Sequence, residues 1–176
     1  MRHVESMGVS SLWVVTIFHF LPALVMLPMI FGIPNASRKD WVLASIAGLL
    51  VGAGFVFYAL GLIVSSVTKT VVLFYMTPIW STIFAYFVIN ERVGLARWLA
   101  IFGGISGCGL VMDLNGETIH FNAADLLGLF SGIFWALGSV AVRRFNKINF
   151  LHVTFLQYLF GGFMAVGAVL YIGDPT

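Results

Sequence analysis

The sequence predicts an all-α fold, a polytopic bundle of about six transmembrane helices, from its composition and from the length of its apolar segments. Hydrophobic residues make up 60% of the 176 positions and charged residues only 9%, and the mean hydropathy is +1.02. A soluble domain of this size has too little interior to bury so much apolar surface. The single cysteine, Cys108, allows no intrachain disulfide, and the net charge of +2 is too small to indicate a nucleic-acid partner.

Six segments reach or approach the roughly 20 apolar residues that a helix needs to cross a bilayer. They are residues 12–31, 41–64, 71–89, 98–112, 126–142 and 150–172. The fourth segment is short, and we expect it to borrow residues 93–97 or to fray at its far end. The connections are brief and contain no linker, which predicts one domain in which neighbouring helices are adjacent and antiparallel.

Positive charges predict the orientation, because cytoplasmic loops carry an excess of lysine and arginine. When the loops are assigned to alternate sides, the richer side carries Arg38, Lys39, Arg92, Arg97, Arg143, Arg144 and Lys147. Only Arg2 and Lys69 fall on the other side, so we predict that the first group is cytoplasmic. This orientation places the N-terminus outside with no preceding helix, and we therefore expect that a first helix is missing.

Residues 71–89 form an apolar segment with a proline near its middle, Pro78. A proline in a helix interior removes one donor and frees the carbonyl one turn earlier, near Phe74. In lipid such a defect persists where protein, polar side chains or water satisfy it, and Thr77 and Ser81 are close enough to help. An irregular centre indicates a helix that faces a cavity. The alternative is a kinked helix that serves packing alone.

A weak internal repeat connects the first and last segments at an offset of 138 residues. Its identities pair Val15 with Val153, Thr16 with Thr154 and Leu21 with Leu159. His19 falls on Gln157 in this repeat. The two copies would insert in opposite directions, an arrangement common in transporters with a central site. Chance similarity between two apolar helices is the alternative.

Small residues recur every four positions in three stretches, which lets helix backbones approach closely in lipid. These stretches carry Ala44, Gly48 and Gly52; Gly103 and Gly107; and Ala124, Gly128 and Gly132. They predict a compact bundle, and they are typical of packing rather than of chemistry.

Residues 71–113 carry a pattern that resembles the EamA-type branch of the drug/metabolite transporter superfamily. The pattern consists of VVLFYMTPIW with Pro78, the ER with Glu91 that closes this helix, and the glycine-rich GGISGCGLVMD that follows. The resemblance implies two inverted repeats of five helices with both termini in the cytoplasm. Residues 1–113 would form most of the first repeat, lacking its first helix, and residues 125–176 would begin the second. The chain would then be a fragment covering the family's second to seventh helices; a functional six-helix protein is the alternative.

Polar and aromatic residues at helical spacing are the candidates for a substrate cavity. They are Tyr58 in the second segment, Thr77, Trp80 and Ser81 in the third, and Ser131, Trp135 and Ser139 in the fifth. Hydroxyls would orient a small, partly apolar solute, and indoles would contact it. Alternatively, the hydroxyls bridge helices and the tryptophans lie at interfaces or pack against lipid. The resemblance favours the cavity, because the family's cavity is described as built from the matching helices.

Two further groups carry ionisable side chains. His19 could titrate near neutral pH and serve a proton relay, or it could be a satisfied interhelical donor. Glu91 is expected to form a cytoplasmic ion pair with Arg92 or Arg97 that fixes a helix end, with gating as a second interpretation.

Enzyme motifs are absent from the sequence: it contains no HExxH, CxxC or GxSxG and no phosphate-binding loop followed by GK[ST]. An outer loop groups Asp113, Glu117, His120 and Asp125, which we interpret as solvated rather than as metal ligands. We therefore predict no enzymatic activity, no cofactor and no metal.

The sequence and the resemblance together predict a secondary transporter that moves a small metabolite, such as an amino acid, by alternating access. We expect it in the cell membrane, as a multi-pass protein of a bacterial inner membrane. The expected partners are the lipid bilayer and a small-molecule substrate but not nucleic acid, and a homodimer is left open. The alternatives are a membrane-embedded scaffold or assembly protein that acts by packing alone, and a membrane-embedded enzyme.

Overall fold

Seven α-helices make up the part of the chain that the computed structural model describes. The described residues are 11–31, 37–92, 94–114, 122–145 and 148–172, without the side chains of 111–114. The helices are α1 (Ser11–Phe31), α2 (Arg38–Val64), α3 (Val67–Phe74), α4 (Thr77–Ile89), α5 (Leu95–Leu114), α6 (Asp125–Arg144) and α7 (Phe150–Ile172). These ranges contain no strand, and the predicted all-α polytopic fold is confirmed.

Five helical stretches are long and apolar enough to cross a membrane. They are α1, α2, the combined range Val67–Ile89 of α3 and α4, α6 and α7. The last predicted segment, 150–172, matches α7 at both ends. The fourth predicted segment corresponds to α5, whose apolar part, Leu95–Leu110, is shorter than the other five stretches. It begins at Leu95, inside the range from which we expected it to borrow residues.

Local hydrogen bonds explain where two of the helices begin and end. Ser37 caps α2, because the backbone N–H of Asp40 donates to Ser37 Oγ at 3.1 Å. The Asp40 carboxylate accepts the Ser37 backbone N–H in return at 3.0 Å, and the two bonds satisfy donors that a helix start leaves free. α4 ends at Asn90, because the left-handed φ of 57° at this residue cannot continue a right-handed helix.

The predicted proline-containing segment is divided into α3 and α4 by a turn at Tyr75 and Met76. Pro78 is the second residue of α4, where its missing N–H costs no intrahelical hydrogen bond. The Thr77 hydroxyl donates to the carbonyl oxygen of Phe74, the group near which we expected a free acceptor. The segment is therefore two helices joined by a turn rather than one kinked helix, and a side chain of the protein satisfies the break.

The central helix of the bundle is α2, which packs against both α6 and α7. α1 packs mainly on α7, while α3 and α4 pack on α6. α5 lies at the edge of the bundle, and most of its described side chains are exposed. Residues from α2, α4, α6 and α7 therefore meet in the interior.

Close helix contacts use two of the three predicted small-residue faces. A Cβ atom at Gly52 of α2 would lie 2.7 Å from the carbonyl oxygen of Gln157 in α7. A Cβ atom at Gly128 of α6 would lie 3.0 Å from Cα of Thr70 in α3. The third packing prediction is wrong for the residues that the structure describes, because open space surrounds an added Cβ at Gly103 and Gly107. α5 is the peripheral helix, so its glycines meet no neighbour there.

Candidate functional site

A cavity of about 460 Å³ opens between α2, α4, α6 and α7. Three valines contribute apolar wall, and the remaining lining residues are Ser81, Trp135, Ser139, Arg143, Phe150 and Gln157. Small-molecule sites typically have volumes of about 300–1,000 Å³ and combine apolar walls with a few polar groups. The cavity has the size and the lining of such a site.

Three of the seven predicted cavity residues line this space: Ser81, Trp135 and Ser139. The other four lie elsewhere. Ser131 is fully buried in the contact between α2 and α6, and its hydroxyl donates to the Gly128 carbonyl at 2.6 Å. Thr77 satisfies the helix break described above.

Aromatic rings pack beside the cavity and connect Tyr58 with Trp135. The Trp135 ring lies 4.7 Å from the ring of Phe55 and 6.0 Å from that of Phe74, measured between centroids. The ring of Phe74 also packs against that of Tyr58, with 4.8 Å between the two centroids. Trp80 instead packs against Phe84 at 6.4 Å, and its indole N–H is buried without a hydrogen-bond partner in the described residues. The indole of Trp135 is thus held in place by neighbouring rings.

Arg143 is the charged residue among the six lining residues that the sequence analysis did not propose for the cavity; the others are Phe150, Gln157 and the three valines. Arg143 Nη2 donates to Ser81 Oγ at 3.4 Å, so the guanidinium connects α6 with α4 at the cavity wall. A signal for it was present, because Ser131, Trp135 and Ser139 recur every four residues and the next step of that series is position 143. Extending the four-residue series by one step therefore reaches a cationic residue, Arg143, on the same face of α6.

Glu91 forms ion pairs with two arginines at the end of the bundle that the charge distribution predicts to be cytoplasmic. Arg97 Nη1 donates to Glu91 Oε1 at 2.8 Å, and Arg143 Nη1 donates to Glu91 Oε2 at 3.0 Å. Of the two partners proposed from the sequence, Arg97 forms the pair, whereas Arg92 is exposed and forms no ion pair with another described residue. The carboxylate therefore joins the end of α4, the first turn of α5 and the last turn of α6.

His19 is buried between α1, α2 and α7 and does not line the cavity. Its Nδ1 lies 2.8 Å from the Val15 carbonyl oxygen, and its Nε2 has no hydrogen-bond partner in the described residues. Its ring contacts those of Phe55 and Tyr158 edge to face. A Cβ atom at Gly161 would lie 2.8 Å from Nε2, so the imidazole fits into a notch on α7.

The prediction that the four ionisable residues of the outer loop are solvated is wrong for Asp125. Its side chain is fully buried, accepting hydrogen bonds from the Ser65 hydroxyl and, at 2.9 Å, from the Asn122 backbone N–H. It therefore ties the C-terminal end of α2 to the start of α6. The side chains of Asp113, Glu117 and His120 lie outside the described residues.

Neither of two other cavities has a charged lining residue, and only the smaller one has polar side chains, those of Thr82 and Tyr86. One, of about 430 Å³, lies between α1 and α7 and is walled by apolar side chains only. The other, of about 330 Å³, lies between α4 and Trp98 of α5. The cavity that contains Trp135 and Arg143 is therefore the best candidate for binding a polar solute among those described.

A multi-pass α-helical membrane protein with a polar cavity between its helices is the class that the fold and the site define. The family model of the EamA-like transporter family matches residues 1–113, and the chain belongs to this family. It is accordingly an integral protein of the cell membrane, as predicted.

Three curated relatives illustrate the similarity. The chain is 27% identical to an S-adenosylmethionine uptake transporter of Rickettsia felis, with 72% of the chain and 43% of the relative covered. It is 26% identical to a riboflavin transporter of Vibrio cholerae, with 80% and 48% covered. It is 25% identical to an uncharacterised transporter of Bacillus subtilis, with 80% and 46% covered. The chain thus spans less than half the length of these relatives. No solved structure matches it.

Proposed function

We propose that the chain forms part of a secondary transporter that moves a small metabolite, such as an amino acid, across the cell membrane by alternating access. The observation that carries this proposal is the 460 Å³ cavity, in which hydroxyl, amide and guanidinium groups face an indole and a phenyl ring. Polar groups of this kind orient a solute, and the aromatic walls supply van der Waals contact.

The position of the cavity in the sequence supports the same proposal. Ser81 comes from residues 1–113, whereas Trp135 and Gln157 come from residues 125–176. We propose that these ranges are most of a first repeat and the start of a second. Transporters built from inverted repeats place their substrate sites at the interface between the repeats. A cavity lined from both ranges supports this division, and similar proteins named as transporters of small molecules support the transport function.

Uptake by liposomes that contain the purified transporter of which this chain forms part tests the proposal. The solutes are S-adenosylmethionine and riboflavin, for which relatives are named, and a set of radiolabelled amino acids. We expect saturable uptake of at least one solute. Trp135→Ala should raise the half-saturation concentration about tenfold or more, because truncating a well-packed aromatic contact costs about 2 kcal/mol.

Trp13→Ala is the matched control, because this exposed tryptophan of α1 does not line the cavity. It should leave uptake unchanged. The transport proposal is wrong if no solute enters faster than into empty liposomes. A scaffold role would be supported instead if cavity substitutions had no effect on the protein's cellular phenotype while changes at Gly52 prevented folding.

A further inference from the structure

We propose that the cavity binds its solute through a carboxylate held by Arg143, and that Glu91 is an internal carboxylate that occupies this guanidinium when the cavity is empty. The inference deepens the proposed transport function and rests on it. Arg143 is the residue common to both arrangements: it lines the cavity, and its Nη1 donates to Glu91 Oε2 at 3.0 Å.

The charges of the cluster do not balance. Glu91 supplies one negative charge, while Arg97 and Arg143 supply two positive charges at 2.8 and 3.0 Å from its oxygens. The lining of the cavity includes no aspartate or glutamate among the described residues. The cluster therefore retains an excess positive charge, and Arg143 is the member that presents it to the cavity.

A solute carboxylate can replace Glu91 at Arg143 at little cost in free energy. The side chains of Arg97, Glu91 and Arg143 are 36%, 38% and 40% exposed, and ion pairs with this exposure add little stability. Glu91 would remain paired with Arg97 when Arg143 turns to a solute. A guanidinium also matches a carboxylate with two parallel donors, which gives the bound solute a defined orientation.

The remaining lining indicates what else the solute carries. Ser139 donates its hydroxyl hydrogen to the Trp135 carbonyl oxygen at 2.9 Å, so its oxygen remains available as an acceptor. The Gln157 side chain forms no hydrogen bond with another described residue, and its amide offers both a donor and an acceptor. The rings of Trp135 and Phe150 form the apolar wall. This lining fits a small carboxylate with an apolar body and at least one hydrogen-bond donor, a class that includes amino acids.

Uptake of matched pairs of solutes tests the proposal in the same liposomes. The pairs are radiolabelled amino acids and their carboxamides, tested with S-adenosylmethionine and with riboflavin, which lacks a carboxylate. We expect uptake of one or more carboxylates and a loss of about ten- to hundredfold in apparent affinity for the matching amide, because charge-assisted hydrogen bonds are lost. Arg143→Gln should cause a similar loss, and Arg143→Lys should recover part of it.

The direction in which Glu91→Gln changes the affinity for the carboxylate is decisive. Removing the internal competitor should tighten carboxylate binding by up to about fivefold, whereas a merely structural ion pair predicts weaker uptake or none. Arg144→Gln is the matched control for Arg143→Gln. It removes one positive charge from the adjacent, exposed position outside the cavity and should leave the affinity unchanged. Elution profiles in size-exclusion chromatography verify that each variant folds.

The outcomes separate the two proposals. Saturable uptake whose affinity is the same in the original chain and in Arg143→Gln, or transport of riboflavin but of no carboxylate, overturns the carboxylate site and leaves the transport function standing. Weaker carboxylate binding in Glu91→Gln also overturns it. Absence of uptake of every solute by the transporter with the original sequence overturns both proposals.

Discussion

Replacing Gly52 by alanine would place a Cβ atom 2.7 Å from the carbonyl oxygen of Gln157, across the contact between α2 and α7. Ordinary van der Waals contact begins at 3.4 Å, so the two backbones must separate by about 0.7 Å at this point. A gap of this size forfeits about a quarter to a half of each dispersion contact nearby. Overpacking of this kind costs about 1–3 kcal/mol.

Thermal unfolding of the purified chain in detergent measures this cost. We expect the Gly52→Ala midpoint to fall by about 2–12 °C, since about 1 kcal/mol corresponds to about 2–4 °C in a chain of this size. Gly103→Ala is the matched control, because an added Cβ meets open space and alanine is the better helix former by about 1 kcal/mol. A midpoint for Gly52→Ala equal to or above that of the original chain would refute the close approach of α2 and α7.

Two further substitutions are checked by the same unfolding measurement. Ser37→Ala removes the cap of α2 and should cost about 1 kcal/mol, whereas Ser37→Asn keeps a capping oxygen and should retain most of the stability; equal losses in both variants would argue against the cap. Asp125→Ala leaves the Ser65 hydroxyl and the Asn122 backbone N–H without their acceptor and should cost about 1–3 kcal/mol. An unchanged midpoint for Asp125→Ala would show that this buried carboxylate does not hold α2 and α6 together.

The positions of the helices could be predicted because the bilayer sets the length of an apolar segment directly. The ends of α7 agree with the predicted segment at both residues. Partners across the bundle could not be predicted in the same way. Gly52 and Gly103 both belong to four-residue patterns of small residues, yet only Gly52 has a helix against it, because tertiary packing decides which faces meet.

The candidate cavity was predictable in part for a related reason. Trp135 and Ser139 lie on one face of α6 by spacing alone, and extending the series would have reached Arg143. Nothing local distinguishes Ser131, one turn earlier, which is buried in a helix contact instead. The burial of Asp125 depends on Ser65, which is sixty positions away in sequence, so its surroundings could not be inferred from the loop in which it was grouped.

The turn at Tyr75 and Met76 has a mechanical consequence. α4 contains 13 residues and is therefore about 20 Å long, so a change of angle at the turn would be amplified at its far end. A change of about 10° at the turn would displace the far end of α4 by about 3 Å. That displacement is comparable to the 3.0 Å that separates Glu91 from Arg143, and α3 could meanwhile keep its contact with Gly128. The turn thus divides a span whose two halves both pack on α6, and the half that carries Ser81 ends next to Glu91.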